Sequence, residues 1–441
     1  MSTASLLLDP TGSAEGGSGP TLLRIATAGS VDDGKSTLIG RLLHDTKSVL
    51  ADQLASVEAA SRQRGWKGEL ADLALLTDGL RAEREQGITI DVAYRYFATA
   101  TRSYVLADTP GHVQYTRNTV TGASTADVVT VLVYARNGVV EQTRRHLAIA
   151  GLLRVPHLVV ALNKIDLVEN PQQVHEEVVS QLEEIARTLS IADLRVVPVS
   201  ALHGDNVVTR SEKTPWYTGP TLLDLLESFP GGQDLREGPF RLPVQLVIRP
   251  QQGAVDPAHV DYRGYAGLIT SGSIAVGDEV GVAGSGRRTQ VVGIDRGPES
   301  VDRAEAGIAV TLRLADELDV SRGDLIAGGD LPVTAESATA VLCWLAEKPL
   351  VPGARVLVKH GTSTVQARVT AILEKLDIAA LERVPAEQGE LNDLVRVELA
   401  FAQPLPLEPY GASREGGSFI VIDPQSGTTL AAGMVGAELR A

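Results

Sequence analysis

The feature that most constrains this chain is the segment of residues 29–36, Gly-Ser-Val-Asp-Asp-Gly-Lys-Ser. It fits the phosphate-loop pattern, in which a glycine and four residues precede a glycine, a lysine and a hydroxyl residue. A short apolar run at residues 22–27 comes before it, and apolar residues at helical spacing follow over residues 37–50. A strand, a glycine loop and a helix in this order form the context in which the motif binds phosphates. An ordinary glycine-rich turn after a strand is the alternative, and the rest of the chain decides between the two.

The residue types in this loop suit a nucleoside triphosphate. Gly29 and Gly34 let the backbone curl so that successive N–H groups face the β-phosphate, with the positive end of the following helix behind them. We expect Lys35 to counter charge on the β- and γ-phosphates, and Ser36 to offer its hydroxyl to Mg²⁺. The predicted nucleotide-binding residues of the loop are Gly29, Ser30, Val31, Asp32, Asp33, Gly34, Lys35, Ser36 and Thr37.

Size and composition set limits on the class of protein. With 441 residues, 44% of them hydrophobic, the chain is long enough for about three domains of ~150 residues. A formal net charge of -15 argues against a large surface for nucleic acid, which depends on dense lysine and arginine. Cys343 is the one cysteine, which excludes an internal disulfide and a cysteine metal cluster. We expect it to be a small buried apolar residue.

The amino-terminal segment predicts the location of the protein. Residues 1–20 are rich in glycine and serine, with no basic leader and no long apolar run, and we expect a disordered tail. No stretch of the sequence reaches the ~18 apolar residues of a membrane-spanning helix. We therefore expect a cytoplasmic protein that does not enter a membrane.

A long insertion, about residues 45–84, follows the first predicted helix and is itself partly helical over residues 50–64. It ends in a glycine followed by Ile88 and Thr89. In phosphate-loop GTPases a threonine in this segment closes over the γ-phosphate and Mg²⁺, and Thr89 is placed to do so. Thr89 could instead simply begin the strand that the alternation over residues 90–97 predicts. The two roles are compatible.

A second strand, residues 104–107, leads into Asp-Thr-Pro-Gly-His at residues 108–112. Open α/β sheets present their chemistry at the carboxyl ends of strands. We expect Asp108 to hold Mg²⁺ through water and the Gly111 N–H to approach the γ-phosphate. His112 is the candidate for orienting the attacking water; a lone histidine on a loop is more often a surface residue, but its position directly after Gly111 favours the functional role.

Two nearly continuous apolar runs, residues 127–134 and 158–162, predict strands buried on both faces of a parallel sheet. The second run leads into Asn163-Lys164-Ile-Asp166. The carboxylate of Asp166 can accept from the ring N–H and the exocyclic amine of guanine, whereas adenine lacks that pair of donors. We expect Asn163 to brace the loop and Lys164 to lie along the face of the base.

A final short strand, residues 196–199, is followed by Ser200, Ala201 and Leu202, whose backbone is expected to touch the guanine oxygen. Five elements in this order remove the chance explanation for the phosphate loop. Residues 21–230 are therefore predicted to form a magnesium-dependent GTPase domain with a mostly parallel sheet. Arg144 and Arg145 are interpreted as the solvated face of a helix.

Beyond a linker at residues 229–232, helical signals become rare and short β runs separated by Gly, Asp and Pro predict two small barrels, at residues 240–330 and 333–441. His360 and Asp377 are interpreted as surface or turn residues. The first set of predicted strands is residues 242–248, 266–270, 279–282, 290–294 and 309–314. The second set is residues 340–345, 355–359, 363–372, 394–399 and 418–422.

A GTPase domain followed by two β-barrels resembles the translation-factor superfamily that contains elongation factor Tu. Within it, Ser30 and Asp33 of the phosphate loop and Gln86 before Gly-Ile-Thr depart from the pattern usual in translation factors. These substitutions, with the segments at residues 115–118, 121–127, 141–146 and 204–208, look like the GTPase (large) subunit of bacterial sulfate adenylyltransferase. The resemblance covers about residues 21–435 and is most specific in the first domain.

This resemblance implies a function. The family makes adenosine 5′-phosphosulfate and pyrophosphate from ATP and sulfate, and couples that unfavourable reaction to GTP hydrolysis. It implies GTP and Mg²⁺ as cofactors and a separate small subunit that carries the adenylyl-transfer site. A translation-type GTPase that delivers charged tRNA is the alternative, and the acidic balance and the departures at Ser30, Asp33 and Gln86 count against it.

Overall fold

The structure is a computed structural model that describes residues 21–63, 65–66, 71–77, 91–231, 235–253 and 260–439. The predicted tail at residues 1–20 and the predicted switch residue Thr89 lie outside the described residues. The predicted domain bounds, 21–230, 240–330 and 333–441, stay a prediction. The predicted fold class is confirmed, because an α/β domain with a mostly parallel sheet precedes two closed β-barrels.

Six strands form the sheet of the first domain, in the order β2-β3-β1-β4-β5-β6. The β2–β3 pair is antiparallel, and the other neighbours are parallel. Their bounds are β1 Thr21–Gly29, β2 Ala93–Ala98, β3 Arg102–Asp108, β4 Val128–Tyr134, β5 His157–Asn163 and β6 Leu194–Pro198. The carboxyl ends of the five parallel strands therefore meet at one edge, which is where open α/β sheets bind ligands.

Helices cover both faces of this sheet. The bounds are α1 Lys35–Asp45, α2 Ala51–Gln63, α3 Thr116–Ser124, α4 Glu141–Leu152, α5 Pro171–Thr188 and α6 Leu222–Ser228. One buried cluster lies on the α1 and α6 side of the sheet, and another lies on the side of α3, α4 and α5. Strands β4 and β5 are buried on both faces, as their continuous apolar runs predict.

Helix α1 is shorter than predicted. It ends at Asp45 rather than near residue 50, because Lys47 takes the left-handed conformation at φ 58°. The Thr46 hydroxyl also donates to the Leu42 carbonyl at 2.7 Å, which satisfies a group in the last turn.

Strand β2 begins later than predicted, at Ala93, and presents Phe97 to the core. Phe97 stacks on Tyr104 of β3 with ring centroids 4.4 Å apart. Because side chains alternate along a strand, Tyr94 and Tyr96 then point outward and are 49% and 68% exposed.

The second domain closes a six-stranded barrel in the order β10-β15-β7-β8-β14-β11, with β11 pairing back onto β10 and β12 extending the edge. A separate two-stranded ribbon pairs β13 with β9. The bounds are β7 Arg241–Ile248, β8 Gly264–Leu268, β9 Ser273–Ala275, β10 Glu279–Val282, β11 Arg288–Arg296, β12 Glu299–Val301, β13 Arg303–Glu305, β14 Ala309–Leu314 and β15 Leu325–Gly328.

The third domain closes in the same way, in the order β17-β21-β22-β16-β20-β18, with β18 pairing onto β17 and β19 at the edge. The bounds are β16 Thr334–Trp344, β17 Arg355–His360, β18 Ser363–Asp377, β19 Glu382–Pro385, β20 Leu394–Pro406, α7 Arg414–Gly417, β21 Ser418–Ile422 and β22 Thr429–Val435. Two of the strands that the sequence did not predict, β15 and β22, are short and mainly apolar.

Three single-residue expectations are tested by the barrels. Cys343 is buried, as predicted. Asp377, the last residue of β18, is exposed as predicted, and its carboxylate accepts the N–H groups of Ala379 and Ala380 in the turn that follows. The prediction for His360 is wrong: the side chain is buried, with its ring nitrogens 2.9 and 3.1 Å from backbone carbonyls of the same barrel.

The first and third domains share a hydrophobic core. Buried residues of α4 and α5 pack with the third barrel, and Tyr410 donates its hydroxyl proton to the Leu153 carbonyl at 2.9 Å. The two barrels are joined by the buried Arg241, whose Nη2 lies 3.0 Å from Glu408 Oε1. The third barrel is therefore held against α4 and α5, and the second barrel is held to the third.

Candidate nucleotide-binding site

The phosphate loop connects the end of β1 to the start of α1. Ser30 donates its backbone N–H to Asp33 Oδ2 at 2.7 Å, and the Ser30 carbonyl accepts from the Asp33 N–H at 3.3 Å. Asp32 between them takes a left-handed conformation at φ 70°. The Asp33 side chain therefore closes the loop on itself before α1 begins.

Gly34 is the residue on which this geometry most depends. It lies at φ 91° as the residue before α1, and a Cβ there would be 2.4 Å from Asn163 Nδ2. Its carbonyl accepts the Leu38 N–H at 2.9 Å, so the loop passes directly into helical hydrogen bonding. A side chain at this position would meet both backbone strain and a steric clash.

Lys35 and Ser36 are the first two residues of α1, at the end of the helix whose N–H groups attract anions. Lys35 Nζ lies 3.5 Å from Asp108 Oδ1, and both side chains are buried. The predicted phosphate-binding lysine and the predicted Mg²⁺ residue thus meet at the carboxyl edge of the sheet. Thr37 is the next residue of the helix.

The loop after β3 packs on the phosphate loop. A Cβ on Gly111 would lie 2.3 Å from the Gly29 carbonyl oxygen, so only glycine permits this approach. His112 follows as an exposed residue, and its Nδ1 accepts the Gln114 N–H at 3.3 Å. Its ring faces Tyr115 edge-on at 6.2 Å.

The two predicted base-binding loops are tied together by Asn163. Its Nδ2 donates to the Asp33 carbonyl at 2.7 Å, and its Oδ1 accepts the Ala201 N–H at 2.9 Å. Ser200 and Ala201 are buried, whereas Leu202 is 46% exposed. One amide therefore joins the phosphate loop to the segment at residues 200–202.

Lys164 has a left-handed backbone at φ 58° and places its ammonium group 4.6 Å from the centre of the Tyr134 ring. Asp166 lies beyond it, with Oδ2 3.8 Å from Nε2 of His203. Burial raises the pKa of Asp33 to about 6, while the Ser30 N–H and the charge of Lys164 act in the opposite direction. The base-side lysine and the phosphate loop are thus electrostatically connected.

Helix α4 contributes residues that sequence reasoning did not assign. Gln142 Nε2 lies 3.4 Å from the Gly111 carbonyl and 3.2 Å from Nε2 of His146. His146 is buried, and burial lowers its pKa to about 3, helped by the charges of Lys35 and Arg145, so the ring is neutral. The signal in the sequence is a pair of polar residues four apart on an otherwise buried helical face.

The interpretation of Arg144 and Arg145 as a solvated face is wrong for Arg145. Its side chain is only 16% exposed and pairs with Glu141 at 3.0 Å. Arg144 is half-buried. The charge of Arg145 also acts on the third domain. Burial raises the pKa of Cys343 to about 12, and the positive charge of Arg145 opposes that rise.

The described site suits Mg²⁺ bound together with a triphosphate. The hydroxyl of Ser36 and the buried carboxylate of Asp108 are oxygen ligands of the kind Mg²⁺ prefers. Within the described residues, no group of three or more His, Cys, Asp or Glu side chains is arranged as a metal site. Mg²⁺ sites that use substrate phosphates need only one or two protein ligands, so this arrangement fits.

Matches to two protein-family models support the same class. Residues 20–230 match the family described as "Elongation factor Tu GTP binding domain", and residues 337–436 match "GTP-eEF1A C-terminal domain-like". The solved structure of Sup35 complexed with GDP aligns with 95% of this chain and 94% of its own, at 25% identity and a TM-score of 0.41.

Curated relatives are much closer in sequence. The chain is 48% identical over 416 residues to "Sulfate adenylyltransferase subunit 1" of Aeromonas hydrophila, covering 94% of this chain and 86% of the relative. It is 51% identical over 418 residues to "Bifunctional enzyme CysN/CysC" of Mycobacterium tuberculosis, covering 94% of this chain and 67% of the relative.

The fold, the family-model match and the curated relatives define a GTPase of the elongation factor Tu type, with GTP and Mg²⁺ as its cofactors. The chain belongs to the sulfate adenylyltransferase subunit 1 family. Among the helices that the structure describes, none combines the length and the apolar character needed to cross a membrane.

Gly34→Ala is expected to lower GDP affinity about tenfold or more, because the added methyl group meets both an unfavourable φ and the Asn163 amide. Titration with a fluorescent GDP analogue measures the change. Gly138→Ala is the matched control, since Gly138 also has a positive φ, 62°, but a Cβ there meets nothing within 4 Å. Equal losses in the two variants would show that backbone strain alone, and not the site, is responsible.

Asp33→Asn is expected to raise the thermal unfolding midpoint at pH 7.5, and the gain should shrink toward pH 5. The folded-state pKa of about 6 lies above the ordinary 3.8, so the folded protein binds the proton more tightly and loses stability as pH rises through that window. An asparagine keeps an acceptor for the Ser30 N–H and never ionises. Asp32→Asn, on an exposed residue of the same loop, should follow the wild-type pH profile. A gain for Asp33→Asn that does not change with pH would contradict the assignment.

Proposed function

We propose that this chain is the GTP-hydrolysing regulatory subunit of a sulfate adenylyltransferase. It couples GTP hydrolysis to formation of adenosine 5′-phosphosulfate and pyrophosphate from ATP and sulfate, which a separate catalytic small subunit carries out. The observation that carries the proposal is the 48% identity to a relative named sulfate adenylyltransferase subunit 1 over 94% of this chain. That family membership also favours this function over delivery of charged tRNA.

The site residues divide the chemistry of hydrolysis among them. Water attacks the γ-phosphorus, the bond from that phosphorus to the bridging oxygen breaks, and GDP and phosphate leave. Lys35 binds the β- and γ-phosphates, the Gly111 N–H contacts the γ-phosphate, and His112 orients the water. Ser36 and Thr89 would hold Mg²⁺, and Asp108 would hold it through water; when bound, the ion would offset charge on the β- and γ-phosphates. Asp166 reads the base, between Lys164 and the segment of residues 200–202.

His112 is exposed, and its ring accepts a hydrogen bond from Gln114 two residues away, which suits a group that reaches the water when the loop closes. Gly111 packs on Gly29, so a movement of the phosphate loop would displace Gly111 as well. A γ-phosphate present or absent at this contact would bias the position of the whole segment that leads into α3.

Helix α3 connects this segment to the third barrel. Near its start, Arg117 Nη2 donates to the carbonyls of Leu345 and Thr429, at 3.1 and 2.9 Å. At its end, the Ser124 carbonyl accepts from Arg414 Nη2 at 2.6 Å. The third barrel therefore contacts both ends of α3, the helix that follows Gly111, the residue predicted to contact the γ-phosphate. These contacts support a coupling route from hydrolysis, through α3, to the third barrel.

The first test mixes the full chain with the small subunit, ATP, sulfate and Mg²⁺, and measures adenosine 5′-phosphosulfate with GTP, without GTP, and with a non-hydrolysable GTP analogue. GTP should increase product formation, and ATP with sulfate should increase GTP turnover. Lys35→Ala should abolish the GTP-dependent increase, because its ammonium group contributes to phosphate binding. GTP hydrolysis without any effect on product would overturn the coupled function, and a gel shift with aminoacylated tRNA would then test the alternative.

Arg117→Met is expected to keep most of the intrinsic GTP hydrolysis and to reduce the GTP-dependent increase in product. It removes two bonds to the third barrel and leaves the phosphate loop unchanged. Arg154→Met is the matched control, because Arg154 also crosses to the third domain, donating to the Gly411 carbonyl at 3.1 Å, but lies beyond α4. Equal effects of the two variants on coupling would contradict a route through α3.

A further inference from the structure

Arg41 of α1 joins the helix at the phosphate loop to the segment predicted to contact guanine. It is 4% exposed, on a helix whose neighbouring buried residues are Leu38, Ile39 and Leu42. A charged side chain in such an apolar environment requires partners. Its Nε donates to the Ala201 carbonyl at 3.1 Å, and its Nη2 donates to the Leu202 carbonyl.

The guanidinium group is itself held in place. Its Nη1 lies 3.5 Å from Asp45 Oδ1, one helical turn further along α1, and that oxygen is 2.7 Å from Nδ1 of His44. Gly204 closes the turn against it, because a Cβ on Gly204 would lie 3.5 Å from Arg41 Cδ and 3.4 Å from Asp45 Oδ2. The planar fork of an arginine thus bridges a rigid helix and two successive peptide groups.

Fixing a carbonyl also fixes the N–H of the same peptide. In a trans peptide the two groups point in opposite directions, so the carbonyls of Ala201 and Leu202 that face Arg41 direct the next N–H groups away from α1. Within the described part of the chain, the Ala201 N–H is already bonded to Asn163, and no protein group accepts from the Leu202 N–H. The Leu202 N–H is therefore a donor available to the base.

We propose that Arg41 is a positioning residue for guanine recognition: it holds the Ala201–Leu202 peptide so that its N–H donates to the O6 atom of guanine. The inference rests on the guanine site proposed above. Arg41 binds Asp45 of its own helix and the carbonyls of Ala201 and Leu202. Its contribution should therefore be specific to the O6 side of the base, which these two residues are proposed to contact. The contacts of Asp166 with the ring N–H and the exocyclic amine do not depend on it.

The test separates these two sides of the base with nucleotide analogues. Competition against a fluorescent GDP analogue gives affinities for GDP, for 6-thio-GDP, in which a weaker acceptor replaces O6, and for IDP, which lacks the exocyclic amine. The wild type should lose about threefold to tenfold for either replacement. Arg41→Met should bind GDP about tenfold more weakly, lose the penalty for 6-thio-GDP, and keep the penalty for IDP.

Arg102→Met is the matched control. Arg102 is also buried in the first domain and also donates to backbone carbonyls, those of Leu226 and Phe229 at the end of α6, away from the nucleotide loops. It should lower the unfolding midpoint and leave both analogue penalties unchanged. Arg41→Lys keeps the positive charge beside Asp45 but lacks the planar guanidinium group, so its penalty for 6-thio-GDP should be intermediate. This variant also provides the test if Arg41→Met does not fold.

The outcomes distinguish this inference from the assignment of the site. An unchanged 6-thio-GDP penalty in both Arg41 variants, or a collapse of both penalties together, overturns the role of Arg41. A wild type that shows no penalty for 6-thio-GDP overturns it as well, since there is then no O6 contact to position. A wild type that does not distinguish GDP from IDP instead contradicts the role proposed for Asp166.

Discussion

The site depends on one buried amide. The side chain of Asn163 binds the predicted phosphate loop through the Asp33 carbonyl and the segment of residues 200–202 through the Ala201 N–H. These segments come from three distant parts of the chain, and the amide both donates and accepts at nearly ideal distances. Its closeness to Gly34 leaves no room for a side chain there. This one amide therefore fixes the loop predicted to bind the phosphates relative to the segment predicted to contact the base.

Much of this site could be predicted from the sequence, because strand ends bring their loops together in open α/β sheets. Each of these site elements lies at the end of an apolar run in the sequence: the phosphate loop, Asp108 and Asn163. What could not be predicted were contacts between helices and loops. Arg41 and His146 look like ordinary helical residues until tertiary packing shows which face of each helix is buried.

The barrels show the same limit. Their longer strands follow the alternation of apolar residues, and the fold class was predicted correctly. Barrel closure, however, depends on pairings between strands that are distant in sequence, such as β17 with β21 and β16 with β22. His360 was misread for this reason, since only the closed barrel brings two carbonyls to its ring.

The attachment of α3 at both ends has a thermodynamic consequence. If the conformation of α3 depends on the bound nucleotide, then a partner that prefers one arrangement of the third barrel must change nucleotide affinity by the same factor that the nucleotide changes affinity for the partner. A tenfold preference corresponds to about 1.4 kcal/mol, comparable to one or two hydrogen bonds. A change of one or two of these three arginine bonds between nucleotide states would therefore account for a coupling of that size.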